Sequence, residues 1–153
     1  MVVLVLRGVH RTRAHGSSAQ SLVEFALILP LLTLLFLGAV DLTRAFYYYI
    51  ALENATRESA RVVIDFPYEY DDTAACAAGQ QEAQPYVTVS CAAGTLWIVP
   101  AANVSGNPPA RTPGRSPVTV YATTTFRPIT VLIQAFTGGT ITLKASTTML
   151  AWY

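Results

Sequence analysis

The stretch "AQSLVEFALILPLLTLLFLGAV", residues 19–40, is the longest apolar segment of this 153-residue chain. From Phe25 to Val40 it has 16 residues without a charge, and with Leu22 and Val23 it approaches the roughly 20 residues that cross a bilayer. We therefore predict a transmembrane helix over residues 20–41. The alternatives are a buried core helix, for which no partner segment of comparable hydropathy exists, and a signal peptide, whose apolar region is only about 7–15 residues long.

Composition and charge placement also point to a membrane protein with a defined orientation. The chain is 52% hydrophobic and 12% charged, with a mean hydropathy of +0.40, which exceeds that of an ordinary soluble domain. Arg7, Arg11 and Arg13 precede the apolar run with no acidic residue among the first nineteen. The positive-inside rule then predicts a cytoplasmic N-terminus and an extracytoplasmic C-terminal part. The remaining basic residues are scattered, which argues against a nucleic-acid partner.

Glu24 is a lone acidic side chain at the edge of the apolar run. A carboxylate costs about 2.5–3.5 kcal/mol at the centre of a membrane helix and less near the interface, where it can reach headgroups. In the alternative interpretation, a peptidase cuts between Ala19 and Gln20, and Glu24 becomes the fifth residue. Its carboxylate then lies one helical turn from a new terminal amine, its own or a neighbour's. Such a pair would set the register between packed helices.

Beyond Val40 the helical pattern continues to about Ile64, which predicts an extracytoplasmic helix over residues 42–65 that ends before Pro67. Two charge pairs support it at helical spacing, Glu53 with Arg57 and Glu58 with Arg61. Ala51, Ala55 and Ser59 form a row of small residues at i,i+4 spacing that permits close helix packing. That row suits either another subunit or this protein's own globular part.

The segment over residues 66–153 predicts a β-rich domain, so the fold class is α+β, with a small antiparallel sheet packed on the long helix. Alternating side chains predict strands in "VTVYATTTF" (118–126) and "TITLKASTTMLAWY" (140–153), preceded by a turn at Gly138-Gly139. Residues 66–116 are predicted to be rich in loops, with short strands in "PYVTVSC" (85–91) and "TLWIVP" (95–100). "ITVLIQAF" (129–136) fits a strand or a short helix.

Three motifs together resemble the TadE-like minor pseudopilins of the Tad (Flp-type) pilus system. After a basic leader, residues 1–19, the chain reads Ala19, four residues, Glu24-Phe25 and then "ALILP", which ends at Pro30. The second motif is "NATRESAR", residues 54–61, and the third is the looser pair "VTVYATTTFRP" (118–128) and "GGTITLKASTTML" (138–150). The family usually has Gly before the cut, where this chain has Ala19. A cut after Gly16 would place Glu24 eighth and break the family spacing.

The resemblance implies a pilin-like fold in the inner membrane, crossed once, and a structural role in initiating or assembling a pilus. It implies cleavage by a prepilin peptidase between Ala19 and Gln20, with Glu24 and Phe25 in the recognition segment. The implied partners are the lipid bilayer, other pilin or pseudopilin subunits and a pilus assembly platform. The residues that it implicates in helix packing during assembly are Glu24, Pro30, Asn54, Arg57, Glu58 and Arg61. The alternative is a permanently anchored, unprocessed surface protein whose β domain binds an envelope component or ligand.

The sequence contains no pattern that predicts catalysis, a cofactor or a metal. Its only histidines, His10 and His15, lie in the leader, so the exterior part has no Ser-His or Cys-His pair. The acidic cluster Glu69, Asp71 and Asp72 fits a solvated loop better than a weak Ca²⁺ site. We therefore predict a protein that is not an enzyme.

Cys76 and Cys91 fall on the oxidising side of the membrane in the topology above. Two cysteines in a small exported domain predict one disulfide, which would contribute about 3 kcal/mol in the chain-entropy account. Free thiols or a metal-binding role are the alternatives.

Overall fold

The computed structural model of the chain describes residues 16–64, 72–99 and 117–150, and they form an α+β fold. The predicted long N-terminal helix followed by a small antiparallel sheet is confirmed. In chain order the elements are α1 (Gly16–Val63), α2 (Asp72–Ala83), β1 (Leu96–Val99), β2 (Pro117–Phe126), α3 (Val131–Thr137) and β3 (Ile141–Leu150). The leader arginines and histidines, Pro67, Glu69 and Asp71 lie outside the described residues.

The chain divides into two compact units, residues 1–36 and residues 37–153. In the described part of the first unit, the large apolar side chains of α1 are exposed, among them Phe25, Leu27 and Leu31. The helix continues through Pro30. Among the described residues, α1 is the one helix long and apolar enough to cross a membrane.

The second unit contains the sheet, in which β2 lies between β1 and β3 and pairs antiparallel with both. Val118, Val120 and Ala122 of β2 are fully buried, because the alternation of the strand turns them all toward the helix side. Gly138 and Gly139 connect α3 to β3 with φ angles of 69° and 94°, a left-handed conformation that glycine adopts without strain. Both strands and the turn agree with the sequence-based expectation.

The core of the second unit forms where one face of α1 meets the inner face of the sheet. Leu52, Ala55 and Val63 of α1 are fully buried in one apolar cluster with the inward residues of β2. The buried Thr56 joins α1 to β3, since its hydroxyl lies 2.8 Å from the Thr147 hydroxyl. The sheet therefore packs on the part of α1 that follows the apolar run.

Residues 66–116 were predicted to be rich in loops with two short strands, and the prediction missed a helix there, because α2 covers Asp72–Ala83. The sequence "DTAACAAGQQEA" contains five alanines, the strongest helix formers, and Asp72 lies in its first turn, where an acid favours the helix dipole. Its buried residues Ala75, Gly79 and Ala83 recur every four positions along the face that contacts the core. The clustered turn formers of the preceding residues hid this local signal.

The predicted strand at residues 85–91 is also wrong, although its alternation is real. Val87 and Val89 are buried while Tyr86 and Thr88 are exposed, as a strand facing the core would require. The segment nevertheless adopts turns and extended coil, and the backbone carbonyl of Ser90 accepts from Thr95 and Leu96 in a local turn. The alternation of apolar and polar residues in this segment therefore reflects alternating burial and does not indicate pairing with another strand.

Gly79 of α2 lies close against α1, with no room for a side chain. A Cβ at this position would meet the Ser59 hydroxyl and lie 3.1 Å from the Ala55 carbonyl oxygen and 3.0 Å from Leu96. We expect Gly79→Ala to lower the free energy of unfolding by about 1–2 kcal/mol, because overpacking outweighs the helix propensity that alanine adds. Denaturant unfolding of the full chain in detergent, followed by circular dichroism, measures this.

Gly38 supplies the matched control for that substitution. It also lies inside a helix, and a Cβ there would meet no atom within 4 Å. Gly38→Ala should therefore be neutral or stabilise the chain by up to about 1 kcal/mol. Equal effects of the two substitutions would refute the close approach as the cause.

Candidate functional site

The segment predicted to be processed lies near the start of α1, where the structure describes its side chains from Ala19 onward. Ala19, Gln20, Glu24 and Phe25 are all exposed. The Gln20 side-chain amide donates a hydrogen bond of 3.1 Å to the Glu24 carboxylate. Residues 20 and 24 thus share one face of the helix, and the carboxylate is within reach of a group carried by residue 20.

The motif "NATRESAR" is divided between the two faces of α1. Its small and hydroxyl-bearing residues, Ala55, Thr56, Ser59 and Ala60, are buried in the second unit. The Ser59 hydroxyl donates to the Ala75 carbonyl of α2 at 2.7 Å. In the described residues, the small-residue row therefore packs within the chain, which agrees with one of the two interpretations left open above. This half of the motif builds the fold.

The charged half of the motif faces outward together with Asn54. Arg57 forms an ion pair of 2.6 Å with Glu53, and Arg61 forms one of 3.2 Å with Glu58. Both pairs are exposed, so each contributes no more than about 1 kcal/mol to stability. These side chains form an exposed polar face of α1 that contributes little to the stability of the fold.

Sequence reasoning missed Asp41, a buried acid of α1 whose carboxylate is bonded on both oxygens. Its side chain is only 3% exposed, and its two carboxylate oxygens accept hydrogen bonds of 2.8 Å each from the backbone N–H groups of Ile129 and Thr130. Arg44, one turn further along α1, lies 3.2 Å from the same carboxylate. Asp41 therefore attaches the connection between β2 and α3 to α1.

Aromatic packing reinforces this attachment. The Arg44 guanidinium lies 5.2 Å from the ring centre of Phe126, the last residue of β2. Tyr48 meets the same ring edge-on at 5.5 Å. Arg44 thus makes an ion pair and a cation–π contact at once, at the position where the sheet ends. No local sequence pattern predicts this site, because the backbone N–H groups that bond to Asp41 belong to residues 88 and 89 positions away.

The structure contains the predicted disulfide, between Cys76 and Cys91. It joins the middle of α2 to the turn that precedes β1, across a sequence separation of 15 residues. Both cysteines are half-buried against the core cluster.

Within residues 16–64, 72–99 and 117–150, no three or more His, Cys, Asp or Glu side chains come together as metal ligands would. The exposed charged side chains of α1 that the structure describes are Glu24 in the first unit and Arg57 and Arg61 in the second unit.

Comparison with known proteins identifies one related segment. A model of the family described as TadE-like protein matches residues 19–61, 43 of the 153 residues. No curated protein and no solved structure matches the chain. The matched segment begins at Ala19 and ends with Arg61, so it contains the first two motifs, and the resemblance to the TadE-like family is confirmed there. It indicates a Tad pilus-associated protein of a generally structural kind, and with the apolar helix it points to membrane anchoring.

Proposed function

We propose that this chain, with its TadE-like segment at residues 19–61, is a minor pseudopilin that takes part in the initiation or assembly of a Tad/Flp-type pilus. The match to the family carries the proposal. The chain acts mechanically and performs no catalysis. It is held in the inner membrane by residues 20–41, with its N-terminus in the cytoplasm and the sheet domain outside, until α1 is extracted into a bundle with other pilin subunits.

Glu24 has the central role in this mechanism. A prepilin peptidase cleaves between Ala19 and Gln20, and the new α-amine of Gln20 becomes positively charged. The hydrogen bond between the Gln20 side chain and Glu24 supports the pairing, because it places residues 20 and 24 on one face of the helix, one turn apart. In an assembly the amine of a neighbouring subunit can take the same place, and the pair then sets the axial register of two helices.

The outward face of α1 supplies a second contact for the assembly platform and neighbouring subunits. Asn54, Arg57, Glu58 and Arg61 offer a donor, an acid and two guanidinium groups on one extended face. Pro30 lacks the N–H that would bond to Ala26, which leaves a carbonyl in the apolar run open to a neighbouring helix. These roles follow from the motifs that the chain shares with the family.

The mature N-terminus is the first test. In cells that express the peptidase and the assembly platform, mass spectrometry should find Gln20 as the first residue of the membrane-bound protein. Ala19→Leu should abolish the cut, whereas Ala39→Leu, a matched change in the same helix, should leave it intact. A protein that begins at Met1 in piliated cells would favour the permanently anchored surface protein instead.

Glu24→Ala tests the assembly step separately from insertion. We expect the variant to be inserted in the membrane at normal levels but to reduce piliation at least tenfold, since the helices lose the charge pair that sets their register. Electron microscopy and quantification of sheared pili measure this. Glu82→Ala, a change at an exposed acid of α2, is the control and should leave piliation unchanged. Normal piliation in Glu24→Ala would contradict the role of the pair.

A further inference from the structure

We propose that α3 is an interfacial helix, whose exposed apolar face contacts the lipid acyl chains of the outer leaflet beside the point where α1 leaves the bilayer. This face consists of Ile129, Val131, Leu132 and Phe136, and we call it the α3 apolar face. The inference rests on the membrane anchoring in the proposed function and extends it, since it assigns a second lipid contact to the domain outside the membrane.

The position of α3 follows from contacts within the second unit. Asp41 holds the backbone of Ile129 and Thr130, immediately before α3, and Asp41 directly follows the apolar run that ends at Val40. An open cleft of about 350 Å³ next to this attachment is lined by Gly38 and Leu42 of α1 and by Ile133 of α3. The beginning of α3 is therefore level with the last turn of the apolar run.

The exposure of the α3 apolar face is unusual for a short helix on a protein surface. Val131 is 77% and Phe136 is 84% exposed, and Ile129 and Leu132 are about half exposed. None of the seven residues of α3 is buried. Leu42 and Phe46, exposed on α1 close to the same level, extend the apolar surface. Contiguous apolar surface of this kind marks a contact with another apolar phase.

The polar side chains of α3 are turned away from that surface. The Gln134 amide donates to the Pro128 carbonyl at 2.6 Å, and the Thr137 hydroxyl donates to the Ile133 carbonyl at 2.9 Å. Because both groups are satisfied by the backbone, neither needs water on the outer face. The α3 apolar face can therefore lie against an apolar phase without burying an unsatisfied polar side chain of this helix.

The charges around α3 fit a bilayer surface better than a second protein. The sequence from Pro128 to Leu143 contains no charged residue, and the exposed Arg127 and Lys144 lie immediately before and after it. In a bilayer, the uncharged apolar segment would contact the hydrocarbon, and the two flanking cations would contact the phosphate headgroups next to it. The same segment of a second copy would bring no acidic side chain to pair with these cations. The membrane that already holds α1 is the occupant that the surface fits.

Tryptophan fluorescence in nanodiscs containing one full-length copy each tests the inference. The parent carries Trp97→Phe and Trp152→Phe, and one tryptophan is then placed by Phe136→Trp, Asn54→Trp or Leu29→Trp. Asn54 lies 13 residues beyond Asp41, which is about 20 Å along a helix, and Leu29 lies inside the apolar run. The bilayer contains 3:1 zwitterionic to anionic lipid, with or without bromine on the acyl chains.

We expect bromine to quench the tryptophan of Phe136→Trp by about twofold or more and its emission to lie at shorter wavelength than that of Asn54→Trp. Quenching of Leu29→Trp without quenching of Phe136→Trp would overturn the inference and leave membrane anchoring intact. If neither is quenched, the anchoring fails as well. A short-wavelength emission of Phe136→Trp without quenching would indicate burial against protein and would also overturn the lipid contact.

Discussion

Asp41→Ala should lower the free energy of unfolding of the sheet domain by about 2–4 kcal/mol, since it leaves the buried N–H group of Thr130 and the part-buried N–H group of Ile129 without an acceptor. Each such orphaned donor costs about 1–3 kcal/mol, and the N–H groups of Ile129 and Thr130 have no other bond partner among the described residues. Arg44 loses its ion pair too, but it is 36% exposed and regains water. The connection between β2 and α3 should therefore detach from α1.

Two measurements on the full chain in detergent check this expectation. Denaturant unfolding gives the loss in stability, and hydrogen exchange should show protection lost first at the amides of Ile129 and Thr130. Asp41→Asn keeps one carbonyl acceptor and should cost less than the alanine substitution. Glu53→Ala breaks the exposed pair with Arg57 and should cost no more than about 1 kcal/mol. A similar loss in the Asp41 and Glu53 variants would contradict the structural role of Asp41.

Removal of the disulfide has the second largest expected effect on stability. Cys76→Ala with Cys91→Ala should lower the free energy of unfolding by about 3 kcal/mol, because the bond closes a loop of 15 residues and limits the unfolded chain. The loss should fall on α2, which the bond ties to the turn before β1. Melting followed by circular dichroism, with and without a reducing agent, measures it.

The reducing agent supplies the internal control for this prediction. It should destabilise the native chain by a similar amount and leave the double variant unchanged. The native chain should also lose protection from proteases at α2 upon reduction. If reduction left the native chain as stable as before, the bond would not contribute to the folded state as described.

Only those parts of the proposed site that depend on residues close together in the sequence could be predicted from the sequence. The apolar run, the position of Glu24 and the motif at residues 54–61 are visible in the sequence, since each depends on neighbours within a few turns. The motif did not reveal which of its residues are buried. Ser59 faces α2 and Arg57 faces outward, and only the packing of α2 against α1 separates the two roles.

Local periodicity also predicted the strands better than it predicted their pairing. The alternation in β2 and β3 predicted both strands correctly, because successive side chains of a strand point to opposite faces and only one face is buried. The same alternation at Val87 and Val89 predicted a strand that the structure does not contain in that segment. Alternating burial is enough to produce alternation in the sequence, whereas a strand also requires the backbone of a neighbouring strand for its hydrogen bonds.

A long apolar helix, two alternating strands, a glycine turn and a pair of cysteines can be recognised in the sequence, because each depends on short-range periodicity or residue type. The packing of α2 at Gly79 and the hydrogen bonds from Asp41 to a backbone 88 residues away depend on the folded chain. A buried carboxylate needs several donors. Arg44 supplies one from the next turn of α1, whereas the two backbone N–H groups come from the distant connection between β2 and α3. The fold brings Ile129 and Thr130 next to Asp41. Its carboxylate, which directly follows the apolar run, then attaches the connection between β2 and α3 to α1.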